Sequence, residues 1–440
     1  MSSITLGVLL IALLLVLILL GMRIAIALIS VAFLGVWLIR DNFTLAMKLM
    51  SMATYNGVAN YLFATIPLFV LMGQLVSVSN VGKDTFEVAD TLLRRILGGL
   101  GIATVAANSV FAAVTGVSIA SAAVFTKVAV PEMTRHGYRA SFATGTVAGS
   151  SVLGMLLPPS LLLIIYGVLA EVSIGKMFIA GLVPGLLLAM GFIIMIMTAA
   201  RLSPNMVFDT ARLQEKQRIA AELPRLTVVQ LLGKSLPILL LVFLVIGGLY
   251  SGYFTPTEAG GVGAFAALLV ALLRRSLTGT KLWRVMTDTG AVSVSILILL
   301  VAASFYGQML AVAGIPAAIS DFVRDIGLGP AGFLVVHILL VLLLGMILDS
   351  SSILLIFVPI AAPIAQNLGF DLIQFGILTV IAVEVGLLTP PFGISIFTVH
   401  AALADRRVSL ESIFAGALPF TGVMLLVLIL LAVFPGLIVY

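Results

Sequence analysis

The sequence predicts an all-α polytopic membrane protein built from two inverted repeats, each holding a re-entrant helical hairpin and a transmembrane helix broken at a proline pair. Three observations predict it. Of the 440 residues, 62% are hydrophobic and 9% charged, and the mean hydropathy is +1.28, which leaves too little polar surface to coat a water-soluble globule. The pairs Pro158-Pro159 and Pro390-Pro391 lie 232 residues apart (390 − 158), and the same offset joins Pro131 to Pro363, Gly137 to Gly369, Gly154 to Gly386 and Ser118 to Ser350. In each copy a long apolar stretch is interrupted midway by small polar residues, Thr115-Gly116-Val117-Ser118 in one and Asp349-Ser350-Ser351-Ser352 in the other.

Crossing roughly 30 Å of hydrocarbon takes about 20 apolar residues in a helix. The clearest candidates are Ile4 to Gly21, Leu62 to Val76, Met177 to Ala200, Leu236 to Leu249, Val262 to Leu273 and Phe414 to Val433. The first is read as a retained span, because Met1-Ser2-Ser3 brings no positive charge and no small-residue cleavage site follows. Residues 1–96 are expected to form scaffold helices, and residues 97–200 the first repeat, with a hairpin at 97–136, a broken helix at 139–171 and a transmembrane helix at 177–200. The polar stretch 201–234, carrying Arg201, Arg212, Lys216, Arg218, Arg225 and Lys234, reads as a cytoplasmic link. Residues 235–328 supply further scaffold helices, starting with a two-span hairpin that turns outside between Ser251 and Glu258 and returns to a second basic cluster at Arg274, Arg275, Lys281 and Arg284. The second repeat covers 329–440, with a hairpin at 329–368, a broken helix at 371–405 and a C-terminal helix at 410–438. After three extra residues, its Phe414-Ala415-Gly416 and Pro419 answer Ile179-Ala180-Gly181 and Pro184.

Charge distinguishes the copies. The base of the first hairpin carries Arg94, Arg95, Arg135 and Arg139, whereas the second has Asp325 and Asp371 with only Arg324 basic. The broken helices end with the opposite bias, the first at Glu171 and the second at Arg406-Arg407. By the positive-inside rule the repeats are inverted, the first hairpin opening to the cytoplasm and the second to the outside. The net charge of +5 comes from residues spaced along connections, with no basic patch interleaved with aromatics, so a nucleic-acid partner is not expected. Absence of cysteine removes thiol and disulfide chemistry.

Each unit suggests its own chemistry. Backbone that leaves helical geometry inside a bilayer is tolerated only where protein, water or a ligand satisfies it. Two consecutive prolines remove N–H donors and leave carbonyls without partners near mid-membrane. Those carbonyls suit a cation. His136, His337 and His400 are scattered, which argues against a transition metal, and each break offers at most one carboxylate, too few for calcium. Carbonyls plus hydroxyls suit a monovalent hard ion, most simply sodium. The helix N-termini at the hairpin tips direct N–H groups and positive dipole ends at an anion, so the two tips together would enclose an anionic solute. Duplicated units with broken helices are the usual frame of secondary transporters.

Four motifs then carry a resemblance. Gly149-Ser-Ser-Val-Leu-Gly-Met-Leu-Leu-Pro-Pro-Ser160, Thr255-Pro-Thr-Glu-Ala259, Leu388-Thr-Pro-Pro-Phe-Gly393 and Pro131-Glu-Met-Thr-Arg-His-Gly-Tyr138 resemble the large membrane subunit of tripartite ATP-independent periplasmic (TRAP) transporters, the DctM-like family, over nearly the whole chain. The resemblance implies sodium-driven uptake of a small organic acid, with C4-dicarboxylates the commonest cargo, through an elevator-like domain in the bacterial inner membrane. It also implies a periplasmic substrate-binding protein and a small four-helix membrane subunit, expected here as a separate chain. It places one sodium on backbone oxygens of Thr115, Val117, Gly154, Leu157 and Pro159. The repeat offset moves the second sodium to Ile347, Asp349, Gly386, Thr389 and Pro391, and substrate contacts are expected from Gly116, Ser118, Asp349, Ser350 and Ser351. Family members often carry Ser-Gly-Ser-Ser at the first tip. The Val117 of this chain is neutral if that position lends only its carbonyl and weakening if a hydroxyl is required.

Blander roles stand beside these. Gly116 and Gly154 also suit close helix packing, Glu258 suits a helix cap, and His337 and His400 suit packing. Asp349 and Glu384 lie in apolar surroundings where a carboxylate costs a few kcal/mol, which favours function. An ATP-driven pump would need a phosphate-cradling Gly-x-x-x-x-Gly-Lys-[Ser/Thr], which the sequence lacks, and no nucleophile-base pair marks an enzyme. The alternatives kept open are an anion channel and a stand-alone ion-coupled carboxylate carrier that works without a binding protein.

Overall fold

A computed structural model describes residues 2–209, 226–403 and 408–440. Among the described residues the regular elements are all helices, apart from one isolated β-bridge, Tyr138 to Phe208. The scaffold begins with α1 (Ser3–Leu19), α2 (Ile24–Arg40), α3 (Phe43–Ala59) and α4 (Thr65–Val78), followed by α5 (Val81–Leu93). The first repeat holds α6 (Gly99–Thr115), α7 (Ser118–Arg135), α8 (Ala140–Ser151), α9 (Leu161–Leu169) and α10 (Ile174–Leu202). Scaffold helices resume with α11 (Val228–Val242), which runs on through a π-helical turn to Tyr250, then α12 (Pro256–Leu273), α13 (Gly279–Ala313) and α14 (Ile315–Asp325). The second repeat holds α15 (Gly329–Gly345), α16 (Ser350–Asn367), α17 (Leu372–Leu387), α18 (Ile394–Ala402) and α19 (Leu410–Val433). Among the described residues, seven helices are long and apolar enough to cross a bilayer.

The two halves contain the same elements in the same order. Moved by 232 residues, the ends of α7, 118 and 135, fall on 350 and 367, the ends of α16. Both hairpins turn within a few residues, and both long helices break at their proline pairs, which are cis. The first break passes through a 3₁₀ turn, Val152–Met155, before Ser160 restarts the helix by accepting from Leu163 N–H. The halves also interlock, α9 packing on α16 and α18 on α7. The Tyr166 hydroxyl donates to Leu372 O at 2.7 Å across the same boundary.

Two stretches differ from expectation. Lys281 and Arg284 sit in the first turns of the 35-residue α13, and Lys234 sits inside α11 behind a Thr227–Gln230 capping box. Arg212, Lys216, Arg218, Arg225, Arg406 and Arg407 lie outside the described residues. The described start of the link packs on the base of the first hairpin: Arg139 N–H donates to Val207 O at 2.9 Å and Asp209 N–H to Gly137 O at 2.8 Å. Lys234 and Arg274 reach the same side, pairing with Glu87 and Asp84 of α5. The basic groups of both halves of the scaffold therefore gather on one face, with Arg94, Arg135 and Arg139.

The periodicity also begins earlier than residue 97. Both hairpins are preceded by a short amphipathic helix, α5 and α14, each entered through a left-handed residue, Asn80 (φ 59°) and Gly314 (φ 74°). Shifted back by 232, the span of α14 falls on 83–93, inside α5.

Candidate functional site

Each repeat presses its hairpin onto its own long helix, the first with its tip against the proline break. At the first tip α6 ends in Gly116 at φ 64°, and Leu161 N–H donates to Gly116 O at 3.2 Å. A Cβ on Gly116 would lie 2.5 Å from Pro159 O, so glycine is required there for both conformation and room. Gly154 faces Val117 and Ser118 more loosely, its virtual Cβ 3.4 Å from Ser118 N. The structure thus brings Thr115, Gly116, Val117, Ser118, Gly154 and Pro159 into one contact region. In the second repeat the hairpin arm and the helix meet at Gly345 and Gly386, where a Cβ on Gly386 would lie 2.6 Å from Gly345 Cα.

The backbone carbonyls at these breaks show a shared pattern. Among the described residues, Thr115, Leu157 and Pro159 accept no hydrogen bond at their carbonyls, and neither do their counterparts Ile347, Thr389 and Pro391. Val117 O and Asp349 O each accept from the first turn of the helix that follows, from Ser121 N–H at 3.3 Å and Ile353 N–H at 3.1 Å. Gly154 O has no donor, whereas Gly386 O accepts from Thr389 N–H at 3.0 Å. At the buried first break, uncommitted carbonyls are costly unless a ligand or ion meets them. No group of three His, Cys, Asp or Glu capable of holding a metal occurs among the described residues. The first break offers neutral oxygens and the second adds the single carboxylate of Asp349, donor sets that fit a monovalent hard ion such as sodium.

The side chains distinguish the tips. Val117 gives α7 no side-chain cap, so its first-turn N–H groups are left to other acceptors, and the hydroxyl of Ser118 is buried without a partner among the described residues. Asp349 caps α16 itself, accepting from Ser352 N–H at 3.1 Å and from the Ser352 hydroxyl. The cost that apolar surroundings place on this carboxylate is offset in part by these cap bonds. Ser350 donates to Glu384 Oε1 at 3.0 Å, while Glu384 Oε2 is buried with no partner among the described residues. Ser351, next along the tip, is half-buried.

Access differs too. The first site is sealed, with Thr115 3% and Leu157 4% exposed. Gly73 of α4 packs on Thr115 O, and Gly185 of α10 packs on Leu157. The second is open, with Ile347 49% and Phe392 53% exposed.

Other candidates take structural places. Glu258 closes a capping box with Thr255, whose N–H donates to Glu258 Oε2 at 2.8 Å. His337 lies 3.0 Å from the Thr379 hydroxyl and packs tilted against Phe375.

The sequence profile of the tripartite ATP-independent periplasmic transporter DctM component matches residues 11–437. The chain belongs to this family. It is 34% identical over 394 residues to the C4-dicarboxylate TRAP transporter large permease protein DctM of Pseudomonas aeruginosa, covering 89% of this chain and 88% of that one. It is 29% identical to the sialic acid TRAP transporter large permease protein SiaM of Vibrio cholerae, over 94% and 93% of the two chains. The crystal structure of the Alcanivorax borkumensis YdaH transporter, described as having an unusual topology, aligns over 87% of both chains with a TM-score of 0.51 and 14% identity, a likeness of fold. The DctM-family chain is thus a large TRAP permease of the bacterial inner membrane, a transporter component and not an enzyme.

Beyond the motifs, sequence reasoning missed the uncapped start of α7, legible in the apolar Val117 before Ser118. It also missed Lys127, the one basic residue between the tip of the first hairpin and its base at Arg135.

Proposed function

We propose that this permease couples the inward movement of sodium to import of a small carboxylate, a C4-dicarboxylate first among candidates, delivered by a periplasmic binding protein and assembled with a separate small four-helix membrane subunit. The observation that carries the proposal is the repetition of uncommitted carbonyls, Thr115, Leu157 and Pro159 answered by Ile347, Thr389 and Pro391. When bound, sodium would supply positive charge beside each tip. Thr115, Val117, Gly154, Leu157 and Pro159 would hold one ion, and Ile347, Asp349, Gly386, Thr389 and Pro391 the other. Between them Gly116, Ser118, Ser350 and Ser351 would offer N–H and hydroxyl donors to the carboxylate, which the helix N-termini favour. Cargo class is supported by the C4-dicarboxylate and sialic acid named for the relatives. An elevator motion is supported by the interlocking of α7 with α18 and α9 with α16, which lets the tips and breaks move as one body against the scaffold.

The test is uptake in proteoliposomes containing the permease, its small subunit and the binding protein. Replacing external sodium with choline is expected to reduce uptake to the leak, and the sodium dependence is expected to be cooperative, with at least two ions per cycle. Uptake unchanged in choline would remove the coupling ion from the proposal.

A further inference from the structure

Lys127 is the one basic residue between the tip and the base of the first hairpin. Nine residues past Ser118 on α7, it stands about 14 Å from the tip and about 12 Å from Arg135 at the base, at the rise of an α-helix. It is exposed, and no acidic group lies within ion-pair distance among the described residues. An ammonium at that depth is too costly against hydrocarbon and belongs in a watered cavity. Such a cavity, of about 750 Å³, is lined by Lys127, Arg139, Asp209, Ala402 and Leu403 among others. One wall comes from the first hairpin and another from the end of the second broken helix.

The other half of the molecule carries its quasi-equivalent, a cavity of about 850 Å³. The 232-residue offset takes Lys127, Val130, Pro131 and Thr134 of the first cavity onto Pro359, Ala362, Pro363 and Gln366 of the second. Position is kept and charge is not. Pro359 replaces Lys127, no lysine or arginine lines the second cavity, and Glu171 does. Among the described lining residues the first cavity has two cations, Lys127 and Arg139, against one acid, Asp209, and the second has Glu171 alone. A cleft with an excess of one sign concentrates the opposite ion, so only the first attracts an anion. A carboxylate leaving the tip region would otherwise cross about 14 Å of low-dielectric protein before meeting bulk water, where an unpartnered charge is costly.

We propose that the Lys127 cavity is an anion vestibule in which the ammonium receives the carboxylate of the transported acid between the hairpin tip and the membrane face, with Arg139 next along the path. The inference rests on the carboxylate cargo proposed above. Gathering of basic groups on this face makes the vestibule cytoplasmic, hence an exit. Asp209 on the same wall opposes tight capture, which suits passage over retention.

The chain has no cysteine, so Ala402→Cys places a single thiol in the vestibule. In inside-out membranes containing the full chain, the anionic sulfonatoethyl methanethiosulfonate is expected to react in preference to the cationic trimethylammonioethyl reagent. Adding Lys127→Gln should lower the anionic-to-cationic rate ratio about threefold or more, and Lys127→Arg should keep it. With succinate as cargo, Lys127→Gln should slow uptake several-fold without changing the sodium concentration for half-maximal rate, with Lys127→Arg restoring it. A rate ratio indifferent to Lys127, or a thiol that neither reagent reaches, overturns the vestibule. A Lys127-dependent ratio in Ala402→Cys membranes, together with no succinate uptake by the wild-type chain and its partners, retains the anion vestibule and overturns the assigned cargo class instead.

Discussion

Asp349→Ala is expected to abolish uptake while leaving the permease inserted and assembled. The structure separates two contributions of this residue. Its side chain caps α16 through Ser352, and losing such a cap costs about 1 kcal/mol, well short of the 5–15 kcal/mol that typically holds a folded domain. Its backbone oxygen and carboxylate also stand at the second break, in the position that Val117 holds in the first repeat. Asp349→Asn keeps a cap acceptor and removes the charge, so it divides the two. Near-normal uptake by the Asn variant means that the charge is dispensable, and loss with a raised sodium requirement means that it meets the ion. Uptake by Asp349→Ala at the wild-type rate with unchanged sodium dependence would show the second site to be misassigned.

Gly116→Ala is expected to be nearly as severe, for a steric reason. At φ 64° a side chain costs on the order of 1–2 kcal/mol, and the new Cβ would meet Pro159 O at 2.5 Å. That carbonyl has little freedom to retreat, since Leu161 N–H is bonded back to Gly116 O. The tip must therefore leave the break, and uptake should fall by about tenfold or more with lowered thermal stability. Gly154→Ala provides the contrast. Its Cβ would sit 3.4 Å from Ser118 N, a contact met by a shift of a few tenths of an ångström, so uptake within about twofold of wild type is expected. Equal damage from both substitutions would mean that crowding at the break, not the geometry of Gly116, sets the requirement.

The parts of this fold that are legible in the sequence are those where the backbone breaks its own rules. Proline pairs, left-handed glycines and small residues at close approaches are dictated by sterics, so they survive duplication and reveal the 232-residue offset. Burial by itself leaves no such mark: α5 and α14 match in place, yet their polar faces answer to different neighbours and share little sequence. Asp349 was legible as a special residue but not as a cap, because capping depends on where the helix starts, and a polar run of Asp-Ser-Ser-Ser permits several starts. Thr255 and Glu258, spaced as a capping box behind Pro256, carried their role more openly. Lys127 was hidden by the same symmetry that exposed the breaks, since comparing copies draws attention to what they share, whereas its role lies in what Pro359 lacks.

The central claim is that two copies of one unit face opposite sides of the membrane and bring their tips together. Single cysteines at Arg135→Cys and Asp371→Cys test it most directly, in a chain with no other thiol. Arg135 is exposed, with only a 3.3 Å pair to Glu132. Asp371 caps α17, accepting from Ile373 N–H at 2.8 Å, so its loss costs about 1 kcal/mol and leaves the fold intact. A membrane-impermeant thiol reagent applied to intact cells is expected to label position 371 and spare position 135, with the pattern reversed in inside-out vesicles. Labelling of both positions from the same face would contradict the inverted arrangement.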